Sequence, residues 1–405
     1  MLFQFNIYSS LLLVFFVHIT VYAIMLWRRG IKQESTADKF MGSFLLLAAL
    51  YVIPWMVGFA GWYDNQPYRD ILFYTPFILG LFIGPVLFLY VKAITNFNYA
   101  FTKKDVLHFV PGVLYIIWCI VVVVVDKAVV KEYYLMNGEA DPDFDTWYQW
   151  SQKISIIIYL VASIRYYRKY KQYVYLETSF IEMASLRWLR NFLIAFAVLT
   201  ILPLLLEIAS LLPALQNINQ YITSWYYFLA FAVVVYYIAI NGYSAVNIPL
   251  HRLRFQPQLL LQYYHSPKLL AGAAVTEDAA FEVVDEKKED IILATWKQKV
   301  KSLVEDEKLY EEPELTLSSL AKKMATNTSV LSRVINQGFN ASFNDFINEY
   351  RINAVKEKLQ SGEQKSQTLL GIAYDCGFNS KATFNRAFKK TTGLSPKEWL
   401  QKNNL

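Results

Sequence analysis

Two short stretches of this chain place polar side chains at helical spacing beside apolar ones, in a pattern suited to reading base edges. In the first, Ser329, Ser332 and Arg333 fall on one face of a helix starting near Thr328, while Val330, Leu331, Val334 and Ile335 fall on the other. In the second, Lys381, Ala382, Asn385 and Arg386 oppose Phe384, Ala387 and Phe388. Arg matches guanine O6 and N7 in a bidentate fork and Asn matches adenine. Ser accepts or donates to several bases, and Ala can touch a thymine methyl. Lys389, Lys390 and the backbone amides at the helix starts would meet phosphates. The predicted contact set is therefore Thr328, Ser329, Ser332, Arg333, Lys381, Ala382, Asn385, Arg386, Lys389 and Lys390.

Each stretch lies in a larger repeated unit. Residues 315–337 predict a helix with Leu317, Leu320 and Ala321 facing inward, a turn at 325–327, and a second helix capped by Asn327 or Thr328. Residues 368–392 repeat the scheme. Ile372 and Ala373 stand for Leu320 and Ala321, Gly377 is a left-handed cap with Phe378 as its apolar contact, and Ser380 starts the second helix. The units are offset by 52 residues before the turn and 53 after it, so the second turn is one residue longer. Between them, Ser342 caps a helix expected over about 343–360, some 27 Å long. Such a strut can hold two recognition helices near one DNA turn, about 34 Å, apart.

The charge balance agrees. From Pro313 onward there are thirteen Lys and Arg against seven Asp and Glu, an excess equal to the +6 of the whole chain. Phosphate binding needs such a local excess.

Leu320–Ala321, the segment Leu331–Ser332–Arg333, Tyr350–Arg351, Ile372–Ala373, Gly377–Phe378, Ser380, Phe384, Arg386, Phe388–Lys389 and Gly393–Leu394–Ser395–Pro396 together make this region resemble the AraC/XylS family of transcription regulators. The resemblance covers about 90 residues. It implies a cytoplasmic domain that binds double-stranded promoter DNA, usually near RNA polymerase, and more often activates than represses. Many members of that family carry a soluble cupin-like sensor upstream. Here the upstream sequence is of another kind, which sets aside the family's usual sugar-like ligands and dimer contacts.

That upstream sequence is apolar. The chain is 55% hydrophobic, 17% aromatic and only 18% charged, against about 25% charged in soluble proteins. Seven apolar runs near 20 residues, at about 5–27, 40–61, 71–94, 106–125, 150–168, 188–211 and 222–244, are long enough to cross a lipid bilayer. The first has no basic n-region or small-residue cleavage site and reads as a retained span. Lys and Arg gather in alternate loops: Arg28, Arg29, Lys32 and Lys39; Lys103 and Lys104; Arg165, Arg168, Lys169, Lys171, Arg187 and Arg190; Arg252 and Arg254. This side is cytoplasmic by the positive-inside rule, which puts the N-terminus outside and the C-terminal head inside a bacterial inner membrane. Trp62, Tyr63, Trp147, Tyr148, Trp150 and Tyr221 mark interfacial positions.

The expected fold is therefore all-α: a seven-helix transmembrane bundle over 1–245, a cytoplasmic connector over 246–312, and a head with two helix-turn-helix units over 313–405. In the connector, Ile292, Trp296, Val300 and Leu303 share a helix face near 289–308. That helix either transmits or dimerises, or packs on the head. Ionisable groups within spans are few. His18 and Glu207 are the candidates for an outward ligand pocket, against the simpler reading of a neutral packed His18 and a hydrated Glu207. The outer loop 126–149 is acidic (Glu132, Glu139, Asp141, Asp143, Asp145) and is either a sensing surface or merely solvated.

Two cysteines, Cys119 and Cys376, exclude a disulfide framework, and no metal-ligand spacing or cofactor motif is present. The sequence predicts a membrane-bound regulator that is not an enzyme. It would answer to a small-molecule or envelope signal, and a homodimer is compatible with it. The alternative is a transporter or intramembrane enzyme with a tethered head, which the scarcity of polar residues in spans disfavours. Release of the head by proteolysis at the small-residue segment 271–280 is a third route.

Overall fold

The computed structural model describes residues 3–96, 99–136, 142–180, 186–209, 220–244, 255 and 286–403. Most of the connector, with its prolines and small-residue segment, lies outside these, as do Glu139, Asp141, Arg252 and Arg254 of the sequence expectations. Among the described residues, helices are the regular secondary structure, and Thr178 and Thr316 form an isolated antiparallel β-bridge. The chain divides into two compact units, Met1–Tyr167 with Arg187–Arg254, and Arg168–Leu186 with Phe255–Leu405.

The first unit contains α1 (Ile7–Lys32), α2 (Thr36–Phe59), α3 (Tyr68–Tyr74), α4 (Gly80–Thr95), α5 (Lys103–Val130), most of α6 (Thr146–Glu177), α7 (Arg187–Ala209) and α8 (Gln220–Ser244). Five of these, α1, α2, α5, α7 and α8, are long and apolar enough to cross a membrane. The other two expected spans take different forms. The run at 71–94 is broken into α3 and the 16-residue α4. Helix α6 has 32 residues, but Gln149, Ser151, Gln152, Lys153 and Ser155 lower its apolar character.

The break before α4 has a local cause. Pro76 brings no amide hydrogen, and the next two amides, of Phe77 and Ile78, both donate to Asp143 Oδ2 at 2.9 Å. Tyr115 donates to the other oxygen of the same carboxylate, and Tyr148 donates to the Ile78 carbonyl. The two phenol rings stack at 3.6 Å. Asp143 is buried, as is Asp126, whose carboxylate accepts from the Leu135 and Met136 amides. Two acids of the expected outer sensing loop region thus hold the backbone together, a role that neither sequence reading anticipated.

At the opposite end of α1, Arg29 pairs with the buried Asp38 at 2.7 Å, donates to the Tyr243 carbonyl and lies over the Tyr243 ring. One of the residues counted as a topology signal therefore joins α1, α2 and α8.

The second unit is built from the end of α6 and its following segment with α9 (Glu286–Asp306), α10 (Leu317–Lys323), α11 (Thr328–Gly338), α12 (Phe343–Gln360), α13 (Leu369–Asp375), α14 (Lys381–Thr392) and α15 (Pro396–Lys402). Its apolar residues form two separate clusters. The first gathers Val300 and Val304 of α9 with Leu320, Leu331, Val334 and the start of α12 at Phe343, Phe346 and Ile347. The second gathers Ile352, Val355 and Leu359 of α12 with Ile372, Phe378, Phe384, Phe388 and Trp399. Helix α12 is the strut expected at 343–360, and Ser342 caps it by accepting from the Asp345 amide. Helix α9 packs into the head core through Val300 and Val304.

Asp143→Ala leaves the buried Ile78 amide and the half-buried Phe77 amide without their acceptor, a loss of about 1–3 kcal/mol. The full-length protein in detergent should unfold at a clearly lower temperature, whereas Asp145→Ala, whose carboxylate takes only an exposed contact from Trp147, should not change it.

Candidate nucleic-acid interface

The two repeated units share a turn geometry that follows the offsets read from sequence. In the first, Ala325 adopts φ +52° and the Thr326 amide donates back to the Ala321 carbonyl at 2.9 Å. In the second, Gly377 adopts φ +88° and the Phe378 amide donates back to the Ala373 carbonyl at 3.0 Å. These are matching left-handed helix ends, 52 residues apart. Gly377 carries an added constraint: a Cβ there would press on the Tyr310 carbonyl oxygen and the Glu311 backbone. Ala325 holds the same backbone region with a Cβ, at a steric cost that glycine escapes.

The second helix of each unit then begins at a side-chain cap. Asn327 accepts from the Val330 amide at 2.8 Å, and Ser380 accepts from the Thr383 amide at 3.1 Å. Asn327 rather than Thr328 is the cap, and Thr328 is the first residue of α11. The apolar faces are buried through Leu331, Val334 and Ile335 in α11 and through Phe384 and Phe388 in α14. Thr383 is buried as well, its hydroxyl 2.8 Å from that of Ser380.

The opposite faces differ between the units. On α14, Lys381, Ala382, Asn385, Arg386, Lys389 and Lys390 are all exposed. On α11, Thr328, Ser329, Ser332 and Arg333 are half-buried. Arg333 Nε donates to Gln337 Oε1 at 3.0 Å, and Asn336 donates to the Ser332 hydroxyl at 3.3 Å. Helix α9 packs against α11, with Lys297 close to Gly338. The ten residues named from sequence thus fall on two recognition helices. The cationic side chains of the second are more exposed than the polar ones of the first. Lys390 lies 2.6 Å from Asp345, an exposed pair that phosphate could displace.

The relative placement within the head depends on Arg351. It is the largest fully buried side chain among the described residues. Its Nε donates to the Tyr310 carbonyl at 2.7 Å, Nη2 to the Glu312 carbonyl at 2.7 Å and to the Ser179 hydroxyl at 3.1 Å, and Nη1 to the Ser179 carbonyl and to Asn348. Burial lowers its pKa to about 9, so it stays cationic at neutral pH. The sequence marks Arg351 as part of a motif without revealing these partners. The Glu177–Ser179 segment was not anticipated at all. Its one sequence signal is a lone acidic residue, Glu177, six residues past the basic 165–171 stretch.

Of the two membrane-half candidates, His18 contacts the Val14 carbonyl and the Tyr236 ring of α8, and Glu207 pairs with Lys153 of α6 at 2.6 Å. Both are exposed, and they lean on different helices. Among the described residues no group of three or more His, Cys, Asp or Glu could hold a metal ion.

A family model described as a helix-turn-helix domain matches residues 320–402, the region of both units and the strut. This part of the chain is a helix-turn-helix domain. The same region resembles curated regulators. An uncharacterized HTH-type transcriptional regulator of Staphylococcus aureus (strain COL) is 31% identical over 101 residues, which is 25% of this chain and 13% of that protein. The HTH-type transcriptional regulator ArgR of Pseudomonas aeruginosa is 30% identical over 88 residues, 22% of this chain and 26% of that protein. The chain therefore spans only about an eighth to a quarter of the length of these curated relatives. A solved protein of unknown function from Listeria innocua is 30% identical, covering 26% of this chain and 94% of that one, with a TM-score of 0.23.

Two measurements check the turn and core chemistry. Ala325→Gly should raise the unfolding free energy of the head by about 1 kcal/mol, while Gly377→Ala should lower it by more, since it adds a contact to the same backbone strain. Cys376 is fully buried and its thiol is pushed up to about 11 by burial, so it should resist iodoacetamide at pH 8 until the head is unfolded.

Proposed function

We propose that the chain is a membrane-bound one-component transcription regulator. Its first 245 residues would form a seven-span bundle with the N-terminus outside, and its head would bind promoter DNA on the cytoplasmic side. The observation that carries this reading is the pairing of two side-chain-capped recognition helices on one strut with five helices of membrane-crossing length and apolarity in the same chain.

In this reading Arg333 and Arg386 contact base edges. Ser329, Ser332, Lys381, Ala382 and Asn385 complete the readout, and Thr328, Lys389 and Lys390 meet phosphates. RNA polymerase is the expected downstream partner, a second copy of the chain a compatible one, and the bilayer the anchor. The stimulus is a small molecule or envelope condition sensed by the bundle, which must bind or favour two states unequally to have any effect. His18 and the Lys153–Glu207 pair are the places in the bundle where a polar ligand would first be sought.

Genome-wide occupancy of the full-length protein should show discrete promoter sites that are lost in the Arg333→Ala/Arg386→Ala double variant, and on a recovered site each single change should weaken binding by about 1–3 kcal/mol. Lys389→Ala should instead weaken binding to all sequences alike and lower the salt dependence by about one phosphate contact. Identical occupancy for parent and double variant would defeat the assignment.

A further inference from the structure

The segment joining the fifth apolar run to the sixth does not stand clear of the head. The described residues of this segment, 168–180 and 186, fall in the same compact unit as α9–α15. Glu177 accepts from the Ser318 amide at 2.9 Å and from the Ser318 hydroxyl. Thr178 forms an antiparallel bridge with Thr316, and Ser179 donates from its amide and its hydroxyl to the Leu315 carbonyl. Arg351 donates to both the carbonyl and the hydroxyl of Ser179. Glu177, Thr178 and Ser179 are almost wholly buried. Just before them, Tyr170 and Tyr173 close on Phe255.

This latch has a consequence for the recognition surface. Two residues before Glu177, the half-exposed Tyr175 walls a cavity of about 570 Å³ whose other sides include Thr383, Arg386 and Lys390 of α14 together with Asp345 and Glu349 of the strut. Tyr175, on the last turn of α6, thus faces the recognition helix across this cavity. A helix with its side chains is about 10–12 Å across, and the major groove is about 12 Å wide. A groove that receives α14 up to Arg386 has no room for a second segment beside it. The carboxylates of Asp345 and Glu349 on the far wall would also face incoming phosphates.

We infer that residues 168–180 are an autoinhibitory strap: latched at Glu177–Ser179, they hold Tyr175 across the cavity from Arg386 of α14 and bar DNA, and release of the latch opens the head. This rests on the reading of the head as DNA-binding. Release exposes the latch groups to water, which replaces the hydrogen bonds they lose. Arg351 keeps the Tyr310 and Glu312 carbonyls when Ser179 leaves. The strap is covalently continuous with α6 at one end and runs into α7 at the other, so a change in those helices reaches the head directly, without passing through the 246–285 connector.

The test uses the full-length protein in nanodiscs and a fluorescent mixed-sequence duplex of about 40 base pairs, because occlusion of α14 reduces non-specific binding as well as specific binding. Glu177→Ala should bind about tenfold more tightly than the parent. In a Thr178→Cys/Thr316→Cys variant, the bridged positions lie near disulfide distance, and both native cysteines are buried. Its oxidised form should bind about tenfold more weakly than the same protein reduced. Equal affinity of the oxidised and reduced forms overturns the strap, whatever Glu177→Ala does, because a permanent structural contact would be indifferent to being locked. Absence of binding by every form, the parent included, would defeat the DNA-binding reading and the strap with it.

Discussion

A single buried guanidinium sets the geometry of the head. Arg351 sits at the middle of the strut, where the first apolar cluster ends and the second begins. A cation there is tolerable only because carbonyl and side-chain oxygens surround it. Those oxygens come from three places far apart in the chain: the loop after α9, the strut itself, and the segment after α6. The side chain thereby fixes where the strut lies against the loop that also packs on Gly377, and hence how the second recognition helix is aimed. Its ring neighbour Phe378, 5.8 Å from the guanidinium carbon, is the residue that follows that glycine. The turn of the second unit and the core of the strut are in this sense one piece of structure.

The same economy operates in the apolar half. Where Pro76 interrupts a helix, the freed amides go to a carboxylate from a distant loop, and two tyrosines close over it. Where α1 meets α2 and α8, one arginine satisfies an aspartate, a carbonyl and an aromatic face together. In each case a polar group within apolar surroundings is matched by partners from more than one element, as burial demands.

The parts legible in the sequence are those with local signals. The strut at 343–360 emerges at those bounds because Ser342 is a cap and the apolar spacing is regular. The repeated turns are visible because Gly377 and Ala325 occupy equivalent offsets, and the faces of α11 and α14 because buried and polar residues alternate at helical period. The less legible parts depend on pairings remote in the chain. Nothing near Asp143 shows that it will bind amides some 65 residues away, and nothing near Glu177 shows that Ser318 will meet it. The run at 71–94 looks continuous in hydropathy, yet it is divided because Pro76 lies where an external acceptor is available. The fifth run shows the opposite limit: its helix extends well past the apolar residues, to Glu177, since Lys, Arg and Tyr are good enough helix formers to carry it on.

The division of the head into two cores on one helix bears on how its sequence preference could change over time. Leu331 and Val334 pack with α9, and Phe384 and Phe388 pack with α15, and no buried residue is shared between the clusters. A substitution that alters the outer face of one recognition helix therefore meets a packing environment that the other helix does not feel. On the proposed function, half of a binding site can drift and be re-selected while the other half keeps the protein on its promoter. A two-part reader on a common axle is in this respect more evolvable than one built around a single core.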